Sequence, residues 1–230
     1  MIFRQLFDHK SSTYTYLLAE RGGGEALLID PVDENTDQYV RLLNALDVKL
    51  VLAVDTHIHA DHVTALGSLA AKTDCVTAMG EASGVECVAV RFSEGEKLRV
   101  DNLHLDILYT PGHTDDSYSF LLPDRVFTGD TLLIRGTGRT DFQNGDPAAQ
   151  YDSLFGKLLT LPSDTFVYPA HDYNGMTVST IGEELRHNPR LQVGSRQAYI
   201  EQMNALDLKD PELMDIAVPA NRCCGIRAAA

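Results

Sequence analysis

No apolar run in the 230 residues is long enough to cross a bilayer as a helix. Basic residues are scarce. Nineteen Lys and Arg stand against 33 Asp and Glu, for a formal net charge of −14. That balance excludes non-specific binding to nucleic acid or to an anionic membrane, and any anionic substrate needs a local basic patch. Cysteine is sparse too: Cys75, Cys87, Cys223 and Cys224 have no CxxC spacing, which excludes a thioredoxin motif or a cysteine zinc site. Adjacency strains any bridge between Cys223 and Cys224. Four buried or incidental thiols in a reducing compartment are therefore expected. Internal repeats and low-complexity segments are missing, so a solenoid is excluded. Residues 1–10 alternate polar and apolar and contain Asp8, which fits neither a secretory signal nor an acid-poor transit peptide. A cytoplasmic location is the expectation.

What remains is ordinary globular material, 44% hydrophobic and 23% charged. A chain of this length buries a substantial core, and one domain over residues 1–230 is expected. Against that background one stretch stands out. Thr56-His57-Ile58-His59-Ala60-Asp61-His62 follows an apolar run at 50–54 that reads as a buried strand. Packing has no use for three histidines and an aspartate within seven residues. Metal binding does, because imidazole and carboxylate are the usual donors for first-row divalent cations.

Strands are expected at 2–7, 13–19 and 26–29, with a turn at Arg21-Gly22-Gly23-Gly24. Tyr39, Leu42, Leu43 and Leu46 recur at helical spacing, and 65–72 reads as a short helix directly after His62. The signals weaken from 76 to 100. Residues 103–109 alternate as a strand and run into Thr110-Pro111-Gly112-His113-Thr114. A hairpin over 117–122 and 126–128 ends in Gly129-Asp130-Thr131. A helix at 151–161 precedes a strand at 166–168, which ends in Pro169-Ala170-His171-Asp172-Tyr173. Closing helices are expected at 181–186 and 195–206. Functional residues thus recur at strand ends: His57, His113, Asp130 and His171. A mixed α/β domain of two stacked sheets with helices outside suits the pattern.

Proline and glycine before His113, and glycine before Asp130, make sense in a metal site, since they fix a turn and let backbone pass a crowded centre. Isolated histidines such as His9, His104 and His187 are read as surface residues.

The order of these motifs resembles the metallo-β-lactamase superfamily, which implies an αββα sandwich. In most members two metals are held, here by His57, His59 and His113 for one, Asp61, His62 and His171 for the other, and Asp130 as a bridge. Within the superfamily the chain is more similar to the persulfide dioxygenases. That resemblance rests on residues 132–143, on Tyr168-Pro169-Ala170-His171-Asp172-Tyr173-Asn174-Gly175, on 177–184, on Asn188-Pro189-Arg190-Leu191 and on 217–221. It implies one Fe(II) per chain on His57, His113 and Asp130, with His59, Asp61, His62 and His171 as supporting or second-site residues. It implies oxidation of glutathione persulfide by O2 to sulfite and glutathione, and a homodimer. The physical argument agrees: two histidines and one carboxylate with open positions opposite are what a non-haem iron oxygenase needs.

Glutathione carries two carboxylates, which Arg139 and Arg190 suit, while Tyr173 is placed to touch substrate or a metal-bound ligand. The competing reading of Arg139 is a salt bridge to Asp141. Asp172 is expected to orient a histidine or a loop. Thr137 stands where some relatives carry cysteine, and Cys223-Cys224-Gly225 lies where a relative's cysteine approaches the substrate pocket. The rival reading is a glyoxalase II-like thiolester hydrolase with two metals, which shares the histidine loop, the Pro-Gly-His turn and the Gly-Asp.

Overall fold

The computed structural model describes residues 1–209 and 213–226. The chain clusters into two compact units. The first holds 1–92, 97–105 and the C-terminal segment, and the second holds 93–96 and 106–209. No described helix is long and apolar enough to cross a membrane.

The first unit is built on a six-stranded sheet of β1 (Ile2–Asp8), β2 (Thr13–Ala19), β3 (Glu25–Ile29), β4 (Lys49–Val54), β5 (Val76–Gly80) and β6 (Val90–Phe92), in that spatial order. The β1-β2-β3 meander is antiparallel and β3-β4-β5-β6 is parallel. Every residue of β2 is buried, so its β-branched and aromatic composition reflects packing on both faces. Helix α1 (Thr36–Ala45) buries Tyr39 and Leu43 in the same core as Leu17, Leu28, Leu66 and Leu69. Helix α2 (Leu66–Thr73) starts just after the histidine loop and stops at Asp74 in the left-handed region, φ 56°.

The second sheet has the order β12-β11-β10-β9-β8-β7, with β7 (Lys97–Val100), β8 (Leu103–Tyr109), β9 (Tyr118–Leu122), β10 (Arg125–Phe127), β11 (Phe166–Tyr168) and β12 (Ser179–Thr180). Pairing is antiparallel for β8-β9, β9-β10 and β11-β12, and parallel for β10-β11. Leu154, Leu158, Val167, Ile181 and Tyr199 form the core of the second unit. Its helices carry side-chain caps: Asp146 for α3 (Pro147–Gly156), Thr180 for α4 (Ile181–His187) and Ser195 for α5 (Arg196–Asn204).

The strand-end placement read from the sequence holds within each unit: β4, β10 and β11 each end just before a functional loop. Two boundaries differ. Helix α3 begins at Pro147, because Asp146 caps it and proline suits its first turn, and it gives way to a 3₁₀ turn at Leu158–Thr160. A further helix, α6 (Met214–Asn221), follows in the tail, where Pro219 inside the helix hides the usual signal. The expectation of unpaired thiols is also wrong, since Cys87 and Cys224 are joined in a disulfide. Their sequence separation of 137 defeats any argument from spacing, because the fold alone brings the tail back to the β5–β6 connection. Cys75 is buried and free, and Cys223 is exposed and free.

Candidate metal centre

Donors from the first unit hang on the loop after β4. At its base Asp30 lies in the left-handed region, φ 51°, at the end of β3. Its Oδ1 accepts from the Thr56 backbone N–H at 2.7 Å and its Oδ2 from the Thr56 hydroxyl at 3.1 Å. His59 Nε2 sits 3.1 Å from Oδ1. Burial pushes the Asp30 carboxyl up to about 6, against the pull of the His57 charge and the Thr56 N–H. With Nε2 committed to Asp30, His59 is left Nδ1 as its ligating nitrogen.

The imidazoles crowd together, His57 on His59 at 4.1 Å and His59 on His62 at 4.3 Å between ring centroids. His62 Nδ1 lies 3.0 Å from Asp61 Oδ2, and the Thr13 hydroxyl donates to that oxygen at 3.0 Å. His62 Nε2 is buried with no hydrogen-bond partner among the described residues. A buried ring nitrogen without a partner is costly in an apoprotein and sensible at a cation site. His59, Asp61 and His62 each offer a ligand atom within 4.8 Å of the others. This donor set fits a metal ion.

The same loop is fastened from behind by Asn221 of α6. Its Nδ2 donates to the carbonyls of His59 at 2.8 Å and His62 at 2.9 Å, and its Oδ1 accepts from Thr64 N at 2.8 Å.

In the second unit three predicted residues come together. His113 Nδ1 donates to the carbonyl of Arg139 at 2.7 Å, which fixes the tautomer and turns the Nε2 lone pair out. That nitrogen lies 3.5 Å from Asp130 Oδ2. A lone pair and a carboxylate oxygen this close repel each other unless they share a proton or an ion, so this pair also fits a cation. His171 Nδ1 donates to the other carboxylate oxygen, Asp130 Oδ1, at 2.7 Å. Two glycines make room here. Gly112 adopts φ 143°, and a side-chain carbon there would stand 2.3 Å from Gln150 Cα. Gly138 N donates to the Asp130 carbonyl at 2.7 Å. Gln150 is fully buried: its Nε2 donates to the carbonyl of Gly138 at 3.0 Å, and its Oε1 accepts from the Tyr199 hydroxyl at 2.8 Å.

The expected substrate residues are placed less uniformly. Arg139 grips Asp141 with two hydrogen bonds of 2.6 Å, donates to the carbonyls of Leu208 and Lys209, and stacks on Phe142. Arg190 is half-buried beside Met203 Sδ at 3.7 Å, with no carboxylate in salt-bridge range among the described residues. Tyr173 is exposed and lies parallel to the His171 ring, 6.1 Å away. Asp172 holds its own loop, accepting from Asn174 N at 2.8 Å and Met176 N at 2.7 Å. His9, His104 and His187 are exposed.

Asp30, Gln150 and Asn221 escaped the sequence reading. The nearest signals are Asp30-Pro31 at a strand end and the 217–221 stretch of the resemblance, which ends in Asn221 but gives it no role; Gln150 carries none, being an ordinary polar residue in a helix.

Comparison with known proteins gives one consistent picture. The metallo-beta-lactamase superfamily model matches residues 10–100 and 89–171. The chain is 45% identical over 230 residues to "Persulfide dioxygenase ETHE1, mitochondrial" of Mus musculus, spanning 99% of this chain and 90% of the mouse protein. The Homo sapiens protein of that name is 43% identical, with the same coverage. The crystal structure of ETHE1 from Myxococcus xanthus superposes with a TM-score of 0.96 at 53% identity, over 98% of this chain and 100% of that one. These matches show the fold expected from the sequence motifs, two mixed sheets with flanking helices.

Proposed function

The chain belongs to the metallo-beta-lactamase superfamily and, within it, to the persulfide dioxygenases, and from that membership we propose that it oxidises glutathione persulfide with O2, at a single Fe(II), to sulfite and glutathione. The observation that carries the choice of reaction is identity sustained over nearly the full length of both chains. In this reading His57, His113 and Asp130 hold the ion. Bound there, iron(II) supplies the redox chemistry that activates O2, which zinc lacks.

The rest is the work of this chain's own residues. The Arg139 carbonyl holds the His113 proton on Nδ1 and keeps Nε2 free to ligate. His171 orients the Asp130 carboxylate by donating to one oxygen and leaving the other for the ion. That donation supports a hydrogen-bonding role for His171. Arg139, Tyr173 and Arg190 are the proposed substrate contacts, and a guanidinium suits each glutathione carboxylate. Of the two arginines Arg190 has the stronger support, because Arg139 is already engaged by Asp141. A homodimer and a cytoplasmic location complete the proposal.

One feature of a two-metal hydrolase has a specific observation in its favour. The buried His62 Nε2 beside Asp61 and His59 gives a second ion a place to sit. Oxygen uptake with glutathione persulfide, on a sample whose metal content is measured, separates the readings. The dioxygenase takes up O2 and forms sulfite with about one iron per chain, and Asp130→Ala loses both metal and uptake. Two metals with thiolester hydrolysis and no uptake would overturn the proposal.

A further inference from the structure

The disulfide between Cys87 and Cys224 lies within the first unit, and its two ends differ in exposure. Cys87 sits in the exposed connection before β6, while Cys224 is buried in the core with Leu66, Leu69 and Val85. Cys224 is also the hinge of a tight turn. It holds φ 56°, a left-handed conformation that a side chain disfavours, and Gly225 follows at φ 79°. A side-chain carbon at Gly225 would stand 2.1 Å from the Thr64 carbonyl oxygen, so the turn is pressed against the end of the histidine loop. The Cys224 carbonyl accepts from Gly67 N at 2.9 Å. Three residues upstream, Asn221 makes its three hydrogen bonds to His59, His62 and Thr64. The bridge therefore anchors the segment that fastens the donor loop, and the turn it anchors has a conformation the free chain would leave.

We propose that Cys87–Cys224 is a thiol–disulfide exchange site for low-molecular-weight thiols such as glutathione, and that opening it loosens the loop carrying His57, His59, Asp61 and His62. The incoming thiolate meets Cys87, the exposed end of the bridge. It attacks Cys87 Sγ, a mixed disulfide forms there, and the Cys87–Cys224 bond breaks. The Cys224 sulfur leaves with the electron pair and takes a proton from water. A second thiolate attacks the outer sulfur of the mixed disulfide and releases the small disulfide and the Cys87 thiolate. In sum one protein disulfide and two thiols give a protein dithiol and one oxidised small disulfide. Reduction frees the tail from its constraint, the turn at Cys224 relaxes, and Asn221 loses its fixed position. The link to metal retention rests on the proposed function, which also makes glutathione a product of the same enzyme.

The test uses the full chain equilibrated in buffers of stepped glutathione to glutathione disulfide ratio, quenched by alkylation and mapped by mass spectrometry. Amide exchange over 59–64 is followed on metal-free protein, and the rate of iron loss to a chelator on loaded protein. Cys87 and Cys224 become alkylated together without denaturant, and exchange over 59–64 rises roughly tenfold or more as the bridge opens. Cys223→Ser gives the same response, since Cys223 is free and exposed. Cys87→Ser behaves as the open form from the start, and should it fail to fold, the reduced wild-type chain supplies the comparison. A bridge that survives millimolar glutathione, or equal exchange in the two forms, overturns the proposal. Faster exchange with unchanged iron loss upholds the exchange site and removes the loop from the metal ligands instead.

Discussion

Gly138 lies against the ring of His113 so closely that a side-chain carbon at position 138 would stand 2.8 Å from His113 Cγ and 2.3 Å from the carbonyl oxygen of Asp130. Both neighbours are proposed metal ligands, and neither is the free end of a flexible chain. In Gly138→Ala the backbone of 137–139 must withdraw, taking with it the Arg139 carbonyl that orients His113. Overpacking of this kind costs about 1–3 kcal/mol. Metal affinity should fall by about tenfold or more, as for loss of a group that orients a ligand, while the far-ultraviolet dichroism is retained. Elemental analysis of purified protein reads this directly. Full metal occupancy in the variant would remove His113 and Asp130 from the centre.

The two arginines separate under kinetic analysis. Arg190→Ala should raise KM for glutathione persulfide roughly tenfold or more while kcat changes little, because a charge-assisted hydrogen bond made equally in ground and transition states is lost. Arg139→Ala should also raise KM more than it lowers kcat if its guanidinium turns from Asp141 to substrate. An unchanged KM with reduced kcat and metal content would assign Arg139 to the Asp141 ion pair, and through it to the loop behind His113.

The residues proposed for the metal centre were legible in the sequence because they break the composition of their surroundings. Histidine and aspartate at the ends of apolar strands have no packing reason to be there, so His57, His113, Asp130 and His171 declared themselves. The residues that position them were not legible. Asn221 reaches His59 from 162 positions away, Gln150 reaches the Gly138 carbonyl from a helix, and Cys224 finds Cys87 across 137. Such partners are chosen by the fold, and an amide in a helix gives no local sign that it supports a ligand loop. The weak region from 76 to 100 was unreadable for a related reason. Strands β6 and β7 have three and four residues, too few for alternation to register.

Tyr199 offers a test of the support behind the Gly112 turn. Its buried hydroxyl is pushed up to about 12 by desolvation, so it remains a donor to Gln150 at any working pH. Tyr199→Phe leaves Gln150 Oε1 buried without that donor, at a cost of about 1–3 kcal/mol, read as a lower midpoint in urea. The sign of the linkage follows from a folded value above the unfolded one. Its contribution is complete below the ordinary tyrosine range, near 10, and is lost as pH rises toward 12. Wild type should therefore lose stability over that interval in a way the phenylalanine variant does not. Equal urea midpoints at neutral pH would show that the Gln150 contact carries no weight.

Asp30 makes the metal-free protein sensitive to acid in an unusual direction. Its folded value, about 6, lies above the ordinary 3.8, chiefly because burial penalises the charge. The folded chain therefore holds this proton more tightly than the unfolded chain does. The stabilisation is fully present below about 4, declines as pH rises from 4 to 6, and is absent above that, a span of about 3 kcal/mol at 1.36 kcal/mol per unit. Asp30→Asn should abolish that decline. It keeps an acceptor for Thr56 N, and its amide can donate to the Thr56 hydroxyl, which now accepts. The informative quantity is the difference between the two proteins in unfolding free energy at each pH. A cation bound to the loop favours the charged carboxylate and should flatten the wild-type curve. Parallel curves for the metal-free pair between pH 4 and 6 would show that Asp30 is already ionised in the fold, and that the histidine loop balances its charge without a metal.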